Sequence, residues 1–282
     1  MKKAITIGTM GACGRDRESA FALVKKAGFD GIELSMDAGD VGCITLNTTE
    51  KELMDMKKLA DDNGIEIPSV TGSSFFVYSL ASENEESREM AMKLLKKQID
   101  AAKIVGADSI LFVPGLVDAA IAGRDEVISY DVAYKRTVEG VKEVVPYAKA
   151  AGINLGIENV WNKFLTSPLD MKNIIDDIGD DIVGCYFDVG NVMYTAYPEQ
   201  WIRILGDRIK RVHVKDFKTP VGNIMGFVPL LAGNVNYPEV MKALNEIGYD
   251  KWITSEVSPS MYYPEYTIYA TAMAMDYIIG NR

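Results

Sequence analysis

The sequence is poor in the features that mark several functional classes. Cysteine occurs three times in 282 residues, at Cys13, Cys43 and Cys185, and no two lie close together. That argues against a disulfide framework and against a thiolate zinc site, and it suits a reducing cytoplasm. Histidine occurs once, at His213. No apolar run reaches the roughly 18 residues a membrane helix needs. Residues 1–10 lack a charged start followed by a long apolar run and a cleavage site, so no signal peptide is expected. Basic residues are in deficit, with 30 Lys and Arg against 40 Asp and Glu, for a formal net charge of -10. Nucleic-acid binding rests on neutralising phosphates with a basic surface. The expected partner is therefore a small molecule or a cation, with no nucleic acid and no membrane. No long polar stretch of low complexity suggests a disordered linker.

What the chain does contain is a repeated unit. Hydrophobic residues make up 48% of it, ample for a sizeable core. An amphipathic stretch closes with Gly, and a β-type run follows within a few residues. The segments VKKAGFDGIELS, ending at Ser35, LADDNGIEIPSV, ending at Val70, and AKIVGADSILFV, ending at Val113, show the pattern. Four more follow, ending at Asn159, Val189, Asp216 and Val257. Gly28, Gly64, Gly106, Gly152, Gly179, Gly206 and Gly248 supply the helix ends, where glycine takes the left-handed cap conformation without a Cβ clash. Seven such units and an opening strand AITIG at residues 4–8 make eight strands. A closing helix TIYATAMAMDYII follows Pro264, which suits a helix start. Strands alternating with helices imply parallel pairing and right-handed crossovers. Eight of them predict a closed (β/α)8 barrel, which typically needs about 250 residues, so residues 1–282 are expected to form one barrel domain. An open doubly wound sheet would carry a Gly-rich phosphate loop after its first strand. GTMGACG at residues 8–14 does not have that spacing.

The ends of the last four strands carry Glu158 in GIEN, Asp188 in FDVGN, His213 in HVKD and Glu256 in SEV. The separations are 30, 25 and 43 residues, one βα unit per step with a long loop in the last. In a closed barrel these ends converge on one mouth. Three carboxylates would repel one another there unless a cation neutralised them. Three carboxylate oxygens and one imidazole nitrogen suit a single divalent ion such as Mn, Zn, Co or Mg.

With GFDGIELS around Glu33, GIEN, FDVGN, HVKD and SEV, the chain resembles, nearly end to end, the xylose isomerase-like family of sugar and sugar-phosphate isomerases and epimerases. The FDVGN form, with Asn191, resembles the branch of L-ribulose-5-phosphate 3-epimerases and hexulose-6-phosphate isomerases. The resemblance implies a metal held by Glu158, Asp188, His213 and Glu256, with the two glutamates also moving substrate protons. It departs from the family in the loop after strand seven, where a Gly-Glu-Gly is usual and this chain has Ala232, Gly233 and Asn234. The family's endonuclease relatives bind several zinc ions through several histidines, which one histidine cannot supply.

The expected reaction is 3-epimerisation of a ketose or ketose phosphate. Removing a proton beside a carbonyl leaves an enediolate whose charge a divalent metal would stabilise as a Lewis acid. Glu158 and Glu256 would stand on opposite sides of the carbon, one removing a proton and the other returning one. Glu33, Asn159, Asn191 and Lys215 are candidate substrate contacts, with a structural carboxylate the equal alternative for Glu33, a salt bridge to Asp188 or Glu256 the equal alternative for Lys215, and support of the ligands a further role for the two asparagines. Trp161, Phe75 and Phe76 are candidates for an apolar wall. Arg15, Arg124, Lys163 and Lys218 fall in or near predicted mouth loops. An aldose–ketose isomerase, a polyol dehydratase and a noncatalytic sugar- or metal-binding barrel are alternatives, and pairing into a homo-oligomer is compatible with all of them.

Overall fold

The computed structural model describes residues 1–39, 42–118, 120, 123 and 125–280. Eight parallel strands form the centre. They are β1 (Lys2–Thr6), β2 (Gly31–Asp37), β3 (Ser69–Gly72), β4 (Ser109–Phe112), β5 (Asn154–Glu158), β6 (Val183–Asp188), β7 (Ile209–Val214) and β8 (Trp252–Ser255). Each pairs with its sequence neighbours, and β1 pairs with both β8 and β2, which closes the sheet. The predicted (β/α)8 barrel is the fold observed.

Eight helices surround it: α1 (Arg17–Ala27), α2 (Glu50–Asn63), α3 (Glu85–Val105), α4 (Tyr130–Ala151), α5 (Pro168–Ile178), α6 (Pro198–Leu205), α7 (Tyr237–Glu246) and α8 (Pro264–Ile278). Their starts follow from local chemistry. Thr49 and Glu52 form a reciprocal capping box on α2, and Asn84 and Ser167 accept backbone N–H groups at the starts of α3 and α5. Pro264 opens α8 as expected. One face of each helix is buried against the strands, as with Leu94, Leu95, Ile99 and Ala102 of α3. No helix among the described residues is long and apolar enough to cross a membrane.

Two expectations need correcting. The opening strand is Lys2–Thr6, and Ile7 and Gly8 belong to a 3-10 segment that carries the chain over the barrel mouth. The seven predicted helix-end glycines all have positive φ, but Gly206 combines φ 56 with ψ -128 and is not a left-handed cap. The chain there enters a 3-10 turn, Gly206–Arg208, before β7, so it cannot close α6 in the usual way.

Because a strand's side chains alternate between faces, β6 aims Tyr186 and Asp188 inward, and β7 does the same with Arg211 and His213. Strand register then sets Asp188 beside His213, and His213 beside Thr254 of β8.

Candidate active site

Four ligand-type side chains meet at the mouth. Glu158 and Asp188 are the last residues of β5 and β6, and His213 is the penultimate residue of β7. Glu256 is one residue beyond β8, where its N–H still donates to the Val214 carbonyl at 3.1 Å. One donor atom from each of the four lies within 4.8 Å of all the others. His213 Nδ1 is 3.1 Å from Glu256 Oε2, 3.8 Å from Asp188 Oδ2 and 3.9 Å from Glu158 Oε1.

These residues fit a divalent cation. Bonds of about 2.0–2.2 Å set neighbouring ligand atoms about 3 Å apart and opposite ones about 4.2 Å apart, and the His213 distances fall in that interval. Asp188 Oδ2 and His213 Nδ1 are buried and have no hydrogen-bond partner, and a cation bound there would satisfy both, displacing any proton on Nδ1. The donor set, carboxylates with one imidazole and no thiolate, suits Mn, Zn, Co or Mg.

The electrostatics agree. Burial pushes Glu158 up to about 8, with the Glu256 and Asp188 carboxylates adding to the rise against the pull of Lys215 and His213. Burial also raises Asp188. Glu256 goes the other way: although burial opposes it, the Lys215 ammonium and His213 hold it well below the usual carboxylate range. Burial disfavours the His213 imidazolium, but the flanking Glu33 and Glu256 outweigh burial and raise it well above its ordinary value. The three carboxylates thus resist being ionised together at this buried site, a cost that a bound cation would relieve.

Lys215 is two residues beyond His213 and reaches the same mouth. Its Nζ lies 3.0 Å from Glu256 Oε2 and 3.3 Å from Asp188 Oδ2. Its backbone carbonyl accepts from the Tyr237 hydroxyl at 2.9 Å. Its Cβ explains the glycine of FDVGN, since a Cβ on Gly190 would lie 2.4 Å from it. Gly190→Ala should therefore displace Lys215 and cost about 1–3 kcal/mol of stability, read as a lower denaturant midpoint at unchanged slope.

Asn159 and Asn191 are supports here rather than free substrate contacts. Asn159 clasps the Asp188 backbone, donating from Nδ2 to its carbonyl at 2.8 Å and accepting its N–H at 2.9 Å. The Asn191 N–H donates to Asp188 Oδ1 at 2.8 Å, and its Nδ2 donates to the Asn159 carbonyl at 2.9 Å. The Asn159 side chain and the Asn191 backbone N–H thus place Asp188, and the Asn191 side chain braces Asn159. Glu33 also departs from its expected substrate role. It is fully buried beneath His213, and both of its oxygens are taken by protein donors.

The apolar wall is built differently from the expectation. Phe75 is in the core against Phe112, with ring centroids 6.0 Å apart, and Phe76 packs on that core half-buried. Trp161 instead packs with Tyr194, Phe217 and Phe227, with centroids 5.4–5.9 Å away. Among the basic residues expected near the mouth, Lys163 pairs with Asp118 at 2.6 Å, Arg15 and Lys218 are exposed, and Arg124 lies outside the described residues.

Sequence reasoning missed three groups. Ser69 and Tyr186 bond Glu33 inside the barrel. Tyr186 precedes Asp188 by two positions, so strand parity could have found it. Asp216 of HVKD is buried and anchors the loop after β7: it accepts N–H groups from Phe217 and Val235 on Oδ1, at 2.8 and 3.2 Å, and from Gly233 on Oδ2 at 2.9 Å. The Gly233 Cα approaches so closely that a Cβ there would lie 2.1 Å from Asp216 Oδ1, and Asn234 accepts the Thr219 N–H at 3.0 Å. The residues that depart from the family pattern thus close the loop onto its own base. A cavity of about 620 Å³ opens beside the cluster, lined by Thr9, Lys215, Met225, Phe227, Glu256 and Pro259 among others.

Comparison with known proteins agrees with this architecture. A protein of Salmonella typhi named L-ribulose-5-phosphate 3-epimerase UlaE is 25% identical over 248 residues, spanning 85% of this chain and 80% of that protein. A crystal structure described as D-psicose 3-epimerase in the presence of D-fructose superposes with a TM-score of 0.80 at 19% identity, covering 99% of this chain and 100% of that one. Another, described as the IOLI protein with a binding zinc atom, gives a TM-score of 0.78 at 18% identity, covering 100% and 99%. A family model described as the xylose isomerase-like TIM barrel matches residues 21–275, and the chain belongs to that family.

Proposed function

We propose that this protein is a metal-dependent 3-epimerase of a ketose or ketose phosphate. One observation carries the reading. Around the barrel the order is β8, β7, β6, β5, so Glu256 and Glu158 are the outer members of the four-residue cluster, with His213 and Asp188 between them. Two carboxylates thereby flank the cluster, one at each end, an arrangement suited to serving the two faces of a carbon centre. Relatives named as 3-epimerases support the choice of reaction.

Glu158, Asp188, His213 and Glu256 would hold the cation. When bound, a divalent ion supplies Lewis-acid polarisation of a carbonyl oxygen and so acidifies the neighbouring C–H. The remaining work falls to the chain. Glu158, almost wholly buried, and Glu256, 40% exposed and facing the cavity, exchange the substrate proton, one on each face. Trp161, Phe217 and Phe227 exclude water from the β5–β7 side. Lys215 places a positive charge where a substrate oxygen enters from the cavity.

The test is a panel of free ketoses and ketose phosphates incubated with metal-loaded protein in heavy water. Epimerisation puts deuterium on the inverted carbon. Label at C1 of the ketose, or at C2 of an aldose product, would instead indicate an aldose–ketose isomerase, release of water a dehydratase, and binding without label a noncatalytic barrel. Lys215→Met provides a separate check. Removing an ammonium within 3.0–3.3 Å of two ligand oxygens should tighten Zn²⁺ binding about tenfold through lost like-charge repulsion, while slowing exchange. Equal or weaker Zn²⁺ affinity by titration calorimetry would place Lys215 outside the field of the ion.

A further inference from the structure

We infer that Glu33 is the residue that sets His213 for its task, as a positioning group acting through the imidazole. The inference rests on the metal-site reading above and extends it to a carboxylate deep inside the barrel.

Glu33 lies on β2, on the opposite side of the barrel from β6, and it has no exposed surface. An unpartnered carboxylate at such a place would be strongly destabilising. It is not unpartnered. Oε2 accepts from the Ser69 and Tyr186 hydroxyls, which also lie 3.0 Å from each other. Oε1 faces His213 Nε2 at 2.8 Å. Ser69 and Tyr186 are themselves fully buried, so the carboxylate can neither rotate nor hydrate. With Oε2 already saturated by two hydroxyls, Oε1 is left for the imidazole alone.

The consequence concerns the other side of the ring. An imidazole whose Nε2–H is held by a carboxylate presents Nδ1 as its lone-pair nitrogen. Nδ1 is the atom that faces Glu158, Asp188 and Glu256, and it is the one without a hydrogen-bond partner. The Tyr186 ring packs edge-on against the imidazole, with centroids 4.6 Å apart at 66°, and fixes the ring plane. Glu33 therefore supplies orientation and basicity to the one nitrogen ligand, and the serine and tyrosine hold Glu33 in place.

The chain's single histidine makes this directly measurable. Selective ¹⁵N-labelling of histidine gives one imidazole signal set, with no assignment ambiguity. In Zn²⁺-loaded protein we expect a slowly exchanging proton on Nε2 and a metal-shifted Nδ1. Glu33→Gln should lose the slow exchange and bind Zn²⁺ about 10- to 100-fold more weakly, measured by chelator competition. Tyr186→Phe and Ser69→Ala keep Glu33 and should each lose a few-fold, which provides a reading if Glu33→Gln does not fold. Zn²⁺ affinity within twofold of wild type in a folded Glu33→Gln protein, or in both hydroxyl variants, would reduce Glu33 to a core-filling residue. Failure of the wild-type protein to bind Zn²⁺, Mn²⁺, Co²⁺ or Mg²⁺ would instead remove the metal-site reading itself, and with it the basis of this inference.

Discussion

Glu158→Gln should lower net inversion of the proposed ketose substrate by about 10²–10⁴-fold, the range associated with loss of a positioned general acid–base group. The amide keeps the size of the side chain and one oxygen, so packing at this buried strand end should survive. What it loses is the capacity to take up and release a proton. The proposed two-sided arrangement makes a sharper prediction than loss alone. If Glu158 serves one face of the carbon and Glu256 the other, Glu158→Gln should still wash deuterium into the epimer whose proton faces Glu256, without inverting it. Glu256→Gln should show the mirror pattern with the other epimer. Net inversion should fall in both. Robust inversion in either variant would remove the proposed role of that residue. Loss of all exchange in one variant with normal turnover in the other would point to one-base isomerisation instead. Zn²⁺ titration of each variant separates lost ligation from lost proton transfer, because catalysis should remain low at saturating metal.

Much of this site was legible in the sequence because a barrel turns sequence spacing into spatial convergence. Glu158, Asp188 and His213 sit at the ends of β5, β6 and β7, and Glu256 just past β8, so a one-dimensional repeat was enough to bring them together. The side chains behind them were harder to read. The register that pairs Tyr186 with Glu33 across the barrel depends on how the sheet closes, and no local pattern encodes it. Glu33 looked like a mouth residue because GIELS resembles the other strand ends, yet β2 runs on to Asp37 and leaves Glu33 four residues below the rim. Asn159 and Asn191 flank ligands in sequence, but only the folded loops show that Asn159 holds the Asp188 backbone while Asn191 holds the Asp188 carboxylate and the Asn159 carbonyl. The loop after β7 was opaque for a related reason. Its anchor, Asp216, is a buried acceptor for three backbone N–H groups, and in the sequence it reads as one more acidic strand end.

Asp188→Asn should have opposite effects on stability with and without metal. Asp188 has no exposed surface, its Oδ2 has no hydrogen-bond partner, and two further carboxylates share its cluster. Burial raises its pKa, and an acid whose folded pKa is raised carries a cost in its ionised form, one that grows as pH rises above the unfolded value. Asparagine keeps Oδ1 as the acceptor for the Asn191 N–H and removes that charge. The metal-free variant should therefore be at least as stable as the metal-free wild type near neutral pH, even after losing the 3.3 Å contact with Lys215. With metal the order should reverse. A ligand that binds only the folded state adds about 2.7 kcal/mol at 100 times its Kd, and a variant missing one anionic donor forfeits most of that. Thermal melts with a chelator and with Zn²⁺ should thus show a large metal-dependent rise in Tm for the wild type and little for Asp188→Asn. A residue that weakens the fold and repays it only through a bound ion is placed for function. A metal-free Asp188→Asn protein much less stable than wild type would make Asp188 a structural partner of Lys215 and Asn191 instead.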